Sequence, residues 1–119
     1  MDKVVLNNGS IMPLLGFGIM SLFDKDECAK VLKDASDTGY RLFDCAQIYG
    51  KEDAVGYALK QAKIPREEIF LTTKVLFTNY EGEDVRKSII ECMEKLKTSY
   101  FDLVIDPLAL WKCISCLSW

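Results

Sequence analysis

Short apolar runs alternate with amphipathic stretches throughout this chain, and this alternation restricts its fold more than any other feature. The apolar runs at residues 14–20, 40–44, 69–75 and 101–105 are typical of buried strands. They start about 30 residues apart, which is the length of a βαβ unit. Right-handed crossovers would make all four strands parallel. An open doubly wound sheet and a (β/α)8 barrel share this order, and a whole barrel takes about 250 residues.

Three amphipathic helices are predicted between these strands. The first lies between Asp24, which can cap its N-terminus, and Gly39, which supplies a C-terminal stop. The other two cover residues 52–63 and 83–97, each with one apolar face. The sequence therefore predicts a β-α-β-α-β-α-β order.

A β-hairpin is predicted ahead of this order, at residues 4–12. Asn8-Gly9 favours a type I′ turn, in which both central residues have positive φ, and short apolar runs flank it. Pro13 would end the second arm.

Composition and charge exclude several classes of protein. Half of the 119 residues are apolar, enough for the core of one small domain. The net charge of −3 comes from interspersed acids and bases, so we expect neither nucleic acid nor a membrane as partner. The N-terminus has no signal-peptide character, and glycines and a proline interrupt the longest uncharged run, residues 4–23. We expect a cytoplasmic protein.

The cysteine pattern favours free thiols. Five cysteines, an odd number without a secretion signal, argue against a disulfide framework. Because the chain has no histidine, a metal site would need thiolates or carboxylates, and only Cys113 and Cys116 have ligand spacing. This C-x-x-C pair also occurs in thiol oxidoreductases, where it opens a helix. Only three residues follow Cys116, so we interpret the pair as accidental and expect no metal.

Three polar residues lie near the ends of successive predicted strands. Asp44 ends the second strand, Tyr49 follows five residues later, and Lys74 lies near the end of the third. Carboxyl ends of parallel strands meet at one edge of a sheet, where ligands bind. An acid, a phenol and an ammonium at this edge indicate a catalytic site. The structural alternatives are a helix cap for Asp44, a surface aromatic for Tyr49 and a snorkelling lysine for Lys74.

Several separated blocks of sequence together form a pattern far more specific than any single motif. They are Leu-Asn-Asn-Gly at 6–9, Met-Pro-Leu-Leu-Gly-Phe-Gly at 12–18, Gly-Tyr-Arg-Leu-Phe-Asp at 39–44 with Ala46 and Tyr49, and Arg-Glu-Glu-Ile-Phe-Leu-Thr-Thr-Lys at 66–74. This pattern resembles the aldo-keto reductase family. A weaker match continues through residues 85–88 and 100–103.

The resemblance implies an α/β fold, the N-terminal half of a (β/α)8 barrel, over residues 1–105. This half has a leading β-hairpin and four parallel strands alternating with helices. The implied function is an NADP(H)-dependent oxidoreductase that reduces aldehydes and ketones, its small-molecule carbonyl substrates, to alcohols. An Asp, a Tyr, a Lys and a His form the family's catalytic site, and the first three match Asp44, Tyr49 and Lys74.

The resemblance also indicates where the cofactor would bind. Gly18, Ile19, Met20 and Asp44 match positions near the nicotinamide end of NADP(H). The glycines at 16 and 18 would let a ligand approach the backbone, although close packing explains them equally well.

Elementary chemistry supports the same division of roles. A phenol is a poor acid at neutral pH, with a pKa of about 10, and a nearby ammonium makes its proton easier to donate. Lys74 would assist Tyr49 in this way, and Asp44 would keep the ammonium oriented. Tyr49 would then protonate the carbonyl oxygen while hydride arrives from the nicotinamide.

Two departures separate this chain from the family pattern. The family has a histidine followed by a proline after the fourth strand, where this chain has Asp106-Pro107. Residues 106–119 form a divergent apolar tail, and the four later strands of a barrel are absent from this sequence. We therefore expect a truncated, alternatively spliced or frame-shifted product with reduced or no activity.

The alternative function is a non-catalytic half-barrel that acts through self-association or partner binding. Four barrel strands leave two unpaired edges, which favour pairing with another chain, and the tail would cover one of them. A thiol oxidoreductase using Cys113 and Cys116 is the least favoured interpretation.

Overall fold

The protein is described here by a computed structural model that covers residues 2–19, 24–75, 83–105 and 113–115. Seven strands and three helices follow one another in these residues: β1 (Lys3–Val5), β2 (Ile11–Pro13), β3 (Gly16–Gly18), α1 (Lys25–Thr38), β4 (Leu42–Asp44), α2 (Glu52–Ala62), β5 (Phe70–Lys74), α3 (Glu83–Leu96), β6 (Leu103–Ile105) and β7 (Cys113–Ser115). Two short 3₁₀ turns, Gln47–Tyr49 and Arg66–Glu68, precede α2 and β5.

Strands β3 to β6 form a parallel sheet in chain order, and β7 adds to it antiparallel. A helix lies between each consecutive pair of these four strands. This is the predicted α/β arrangement of four parallel strands with alternating helices, and it is confirmed. The antiparallel β7 comes from the apolar tail and pairs with β6, so the tail covers that edge of the sheet as expected.

All four predicted strands are shorter than expected, and for β3 and β4 the reason is local. β3 covers Gly16–Gly18 rather than residues 14–20, because the Leu14 amide donates to the carbonyl of Asp2 in the hairpin. β4 begins at Leu42 because the amide of Tyr40 still donates to a carbonyl of α1.

The hairpin of β1 and β2 is confirmed, but its turn is not type I′. Gly9 alone in this turn has positive φ, at 86°, and its amide donates to the carbonyl of Leu6 at 2.9 Å. The amide of Leu6 donates to the carbonyl of Ser10 at 2.8 Å, which leaves a three-residue loop. This is a type I turn followed by a glycine bulge, a common alternative for hairpins. Asn8 favours it because its side chain accepts from the amide of Ser10.

The helix ends follow the capping signals in the sequence. Asp24 accepts hydrogen bonds from the amides of Asp26 and Glu27 at the start of α1, and Gly39 ends that helix with φ of 108°. α2 and α3 each stop one residue before the predicted end. Lys63 and Lys97, the residues that follow, have positive φ of 54° and 55°, which a continuing helix does not allow.

The core lies between one face of the sheet and the three helices. Alternation along the strands turns Phe43, Leu71 and Val104 toward this side. They pack with helical residues that are equally buried, including Leu32, Val55, Ile89 and Leu96. The strand residues between these core positions point to the other face of the sheet, and that face carries the polar residues described below.

A glycine in α2 sets the distance between α2 and α3. A Cβ atom on Gly56 would lie 2.5 Å from the carbonyl oxygen of Lys95 and 2.9 Å from backbone atoms of Leu96. These neighbours are backbone atoms, which cannot turn aside as a side chain can. The helices therefore approach this closely only because residue 56 has no side chain.

Several large apolar side chains remain exposed near the N-terminus. Val5, Ile11, Leu14 and Leu15 are each more than half exposed. Among the described residues, β3 pairs with β4 on one side and with no strand on the other.

None of the helices in the described residues is both long and apolar enough to cross a membrane.

Candidate active site

The register of β4 and β5 brings Asp44 and Lys74 together. Asp44 lies opposite Thr72 in the parallel ladder, and Lys74 is two residues further along the same strand. Residues two apart on a strand share a face, so Asp44, Thr72 and Lys74 all lie on the face away from the helices. The prediction that a carboxylate and an ammonium meet at these strand ends is confirmed by their contact.

The ammonium of Lys74 bridges both oxygens of the Asp44 carboxylate. Its Nζ donates to Oδ1 at 2.6 Å and to Oδ2 at 2.5 Å. The two side chains are 31% and 36% exposed, so water screens the pair and reaches it. Such a pair contributes only about 0.2–1 kcal/mol to stability, which points to a role other than holding the fold.

Thr72 completes this group, and the sequence pattern alone did not single it out. Its hydroxyl donates to Asp44 Oδ1 at 2.5 Å, and its side chain is buried. Two groups of β5 thus hold the carboxylate of Asp44: the hydroxyl of Thr72 and the ammonium of Lys74 at the end of the strand. The signal that could have revealed Thr72 is its spacing of two residues from Lys74, once Asp44 had been placed opposite it.

Tyr49 lies on the 3₁₀ turn that directly follows β4. Gly50 ends the turn with φ of 59°, and its amide donates to the carbonyl of Gln47 at 3.1 Å. The turn contacts β5, and the Tyr49 side chain is half-buried. Within the described residues, no hydrogen bond joins its phenol to Asp44 or Lys74. Tyr49 therefore lies on the turn that joins the end of β4 to α2 and contacts β5, without a hydrogen bond to the ion pair.

The end of β3 lies next to the same carboxylate. Gly18 pairs with Asp44 in the ladder, and the amide of Ile19 donates to the carbonyl of Asp44 at 3.2 Å. A Cβ atom on Gly18 would meet nothing within 4 Å, whereas one on Gly16 would lie 2.5 Å from the Leu42 side chain. Gly16 thus serves packing, and Gly18 borders open space. Met20 and Asp106 lie outside the described residues.

Three cysteines of the described residues, Cys28, Cys45 and Cys92, are buried in the core as free thiols. Burial raises the pKa of Cys45 to about 11, with the charges of Glu52 and Asp44 adding to the effect. Burial is also the main reason that the pKa of Cys28 rises to about 11 and that of Cys92 to about 12. Thiols of this kind are poor nucleophiles. The side chains of Cys113 and Cys116 lie outside the described part, so their interpretation stays a prediction.

A cavity of about 410 Å³ lies at the opposite end of the sheet, between the hairpin and the starts of β4 and β5. Two of its charged lining residues, Arg41 and Asp102, make several hydrogen bonds within the fold. Arg41 donates to two backbone carbonyls of its own segment, and Asp102 accepts from Arg66 and from the amide of Leu71. The contacts of Arg41 hold the end of α1 to the start of β4, and those of Asp102 join β5 to the start of β6, so we assign this end to stability rather than to chemistry.

Comparison with known proteins places the chain in a defined group. A family model described as "Aldo/keto reductase family" matches residues 14–106. The mouse protein "Aldo-keto reductase family 1 member A1" is 36% identical over 109 residues, which are 87% of this chain and 33% of the mouse protein. "Methylglyoxal reductase DkgA" of Escherichia coli O157:H7 is 36% identical over 102 residues, which are 86% of this chain and 36% of that protein.

Solved structures agree with these matches. A crystal structure of an aldo/keto reductase from Brucella melitensis superposes with a TM-score of 0.80 at 38% identity, over 87% of this chain and 40% of that one. The aldose reductase of Schistosoma japonicum gives a TM-score of 0.79 at 36% identity, over 87% of this chain and 36% of that chain. The chain spans about a third of the length of the curated relatives it matches, at 33% and 36%.

Proposed function

The chain belongs to the aldo/keto reductase family, and from this premise we propose that its strand-end site serves NADP(H)-dependent reduction of aldehydes and ketones. The observation that carries the proposal is the contact of Lys74 with both oxygens of Asp44 beside the turn of Tyr49. The group lies at the carboxyl ends of parallel strands, where barrel enzymes place their catalytic residues.

Tyr49 is the proposed proton donor. As a carbonyl is reduced, negative charge grows on its oxygen, and a positioned acid lowers the barrier by delivering a proton there. The phenol of Tyr49 is carried by the turn that directly follows Asp44, and the sequence contains no histidine. Tyr49 therefore protonates the substrate oxygen.

Lys74 and Asp44 support that proton transfer. An ammonium close to a phenol stabilises the phenolate that remains after the proton has left. Asp44 holds the ammonium of Lys74 by two hydrogen bonds, and Thr72 holds Asp44. Thr72, Asp44 and Lys74 thus form a chain of contacts in which each orients the next, and Tyr49 lies on the turn that follows Asp44.

The residues at the end of β3 fit a cofactor that approaches the backbone. Gly18 borders open space next to Asp44, and a side chain there would occupy it. Gly18, Ile19 and Met20 with Asp44 would hold the nicotinamide end of NADP(H), which supplies the hydride when bound. The names of two relatives, "Methylglyoxal reductase DkgA" and "Glyoxal reductase" of Bacillus subtilis, suggest small aldehydes as substrates.

Purified protein tests this proposal directly. Addition of NADPH should quench protein fluorescence in a saturable way, and addition of methylglyoxal should then cause loss of NADPH absorbance. Tyr49→Phe should abolish the loss and retain the quenching. Tyr57→Phe is the matched control, since Tyr57 lies on α2 under the ammonium of Lys25. Turnover that survives in Tyr49→Phe would refute the assigned acid.

A second candidate function is association through the exposed N-terminal side of the sheet. β3 has an unpaired side among the described residues, and Leu14 and Leu15 are exposed just before it. Unpaired edges and clustered apolar residues favour contact with another chain. Light scattering decides between the candidates: a defined dimer without NADPH binding supports association, and a monomer that binds NADPH supports the enzyme.

A further inference from the structure

The turn that carries Tyr49 has little support of its own. It is only three residues long, and 3₁₀ hydrogen bonds have poorer geometry than those of an α-helix. Neither the turn nor α2, which follows it, has a side-chain cap at its N-terminus. Contacts from elsewhere in the fold must therefore fix the position of the phenol.

One such contact comes from α3. The side-chain amide of Gln47 donates to the hydroxyl of Ser88 at 3.2 Å. That hydroxyl in turn donates to the carbonyl of Val85 at 2.9 Å, which directs its lone pairs toward Gln47. The first residue of the turn is thus tied to the helix between β5 and β6.

A second contact reaches the other side of Tyr49, one helical turn further along α3. Cys92 is buried, and so is Glu52, the first residue of α2, whose carboxylate is one of the groups that raise the pKa of the Cys92 thiol. Thr73 Oγ1 lies 3.9 Å from the sulfur on the strand side. Burial, followed by the charge of Glu52, raises the pKa of Cys92 to about 12, so the thiol keeps its proton and can act as a donor on this side of α3.

Ser88 and Cys92 are four residues apart, so they lie on one face of α3. Their partners, Gln47 and Glu52, flank Tyr49 in the sequence. We propose that Ser88 and Cys92 are positioning residues, which hold the Tyr49 turn against the Asp44 and Lys74 pair by binding it on both sides. This inference rests on the proposed role of Tyr49 as proton donor.

A spectroscopic test follows the position of Tyr49 without relying on activity. Protein labelled with [13Cζ]tyrosine gives one signal for each of its five tyrosines, and Tyr49→Phe identifies the relevant one. Ser88→Ala should shift or broaden the Tyr49 signal and leave those of Tyr57 and Tyr100 in place. Ser88→Thr, which keeps the hydroxyl, should restore the wild-type signal.

A control serine is available in α1. Ser36 donates to the carbonyl of Lys33 at 2.8 Å, as Ser88 donates to that of Val85, but it lies on α1 and not on the helix that contacts Gln47. Ser36→Ala should leave the Tyr49 signal unchanged. Movement of every tyrosine signal in Ser88→Ala, with the same result in Ser36→Ala, would overturn the proposal because the effect would then be a general loss of structure.

Gln47→Ala provides a second variant in case Ser88→Ala folds poorly. If the hydrogen bond between Gln47 and Ser88 is what positions the turn, Gln47→Ala should displace the Tyr49 signal by the same amount as Ser88→Ala. The variant that carries both substitutions should displace it by that amount and no more. Displacements that add up, or an unchanged signal in both single variants, would overturn the proposal.

The Cys92 contact is tested with two substitutions of similar size. Cys92→Ser keeps a donor for Glu52 and should preserve the Tyr49 signal, whereas Cys92→Val removes the donor and should displace it. An unchanged signal in Cys92→Val would overturn the role of this residue.

Kinetics separate this inference from the proposed function. Misplacing a catalytic group by about 1 Å costs up to roughly a hundredfold in rate, so Ser88→Ala should lower kcat and leave KM unchanged. A rise in KM alone would contradict positioning. Wild-type protein without turnover would refute the proposed function, and the tyrosine signals would still decide whether α3 positions the turn.

Discussion

Replacing Gly56 by alanine tests the packing of α2 against α3, which in our proposal positions the Tyr49 turn. The added Cβ would lie 2.5 Å from the Lys95 carbonyl oxygen and 2.9 Å from two backbone atoms of Leu96. Real contacts of this kind are longer by about 1 Å, so the two helices must move apart. Overpacking of this kind costs about 1–3 kcal/mol.

Helix propensity acts in the opposite direction in this variant. Alanine is favoured over glycine inside a helix by about 1 kcal/mol. Because the obstacle is backbone on α3 and cannot rotate away, we expect the clash to win, with a net loss of up to about 2 kcal/mol. For a chain of this length, urea unfolding should move to lower concentration by about 1 M.

Gly18→Ala is the matched control for this experiment. A Cβ atom there would meet nothing within 4 Å, so stability should change by less than about 0.5 kcal/mol. The two variants are compared by urea titration followed by circular dichroism. A Gly56→Ala protein that is as stable as the wild type, or more stable, would refute the reasoning from close helix packing.

Two further predictions concern the site and its surroundings. Thr72→Val removes the hydroxyl that holds Asp44 and should lower the free energy of unfolding, measured in urea, by about 1 kcal/mol. Thr73→Val changes the other face of β5 and should lower it by less. Equal losses in the two variants would contradict the assigned contact. Burial raises the pKa of Cys45 from 9.0 to about 11 and that of Cys92 from 9.0 to about 12. As pH rises, these thiols therefore lose their protons at a lower pH in the unfolded protein than in the folded protein, so the free energy of unfolding should fall above about pH 9. Urea unfolding at pH 8 and pH 10 measures this effect, and stability that is unchanged or higher at pH 10 would refute it.

The order of strands and helices could be predicted because each element has its own periodicity and its own capping or turn residue. Asp24 and Gly39 bound α1 as their side-chain chemistry indicates. The contact of Asp44 with Lys74 could be predicted because parallel strands end at the same edge of a sheet. The family resemblance found in the sequence is confirmed by the family model.

What could not be predicted depends on how distant elements pack. Thr72 becomes a partner of Asp44 only through the register of two strands, and Glu52 is buried only because α3 covers the start of α2. Gly56 is a helical residue like any other until the approach of α3 is known. The hairpin turn differed because Asn-Gly fits two turn types, and the three-residue loop decides between them. The predicted domain boundary at residues 105 and 106 and the cytoplasmic location stay predictions.

The central claim is that Asp44, Lys74 and Tyr49 act as one site, and a double-mutant cycle on aldehyde-dependent NADPH oxidation tests it most directly. Residues that act as a unit give losses that are far from additive. We expect Tyr49→Phe and Lys74→Met each to reduce kcat by a large factor, and the double variant to be no slower than the slower single variant. Losses that multiply in the double variant, or a Lys74→Met protein with wild-type kcat, would contradict the account.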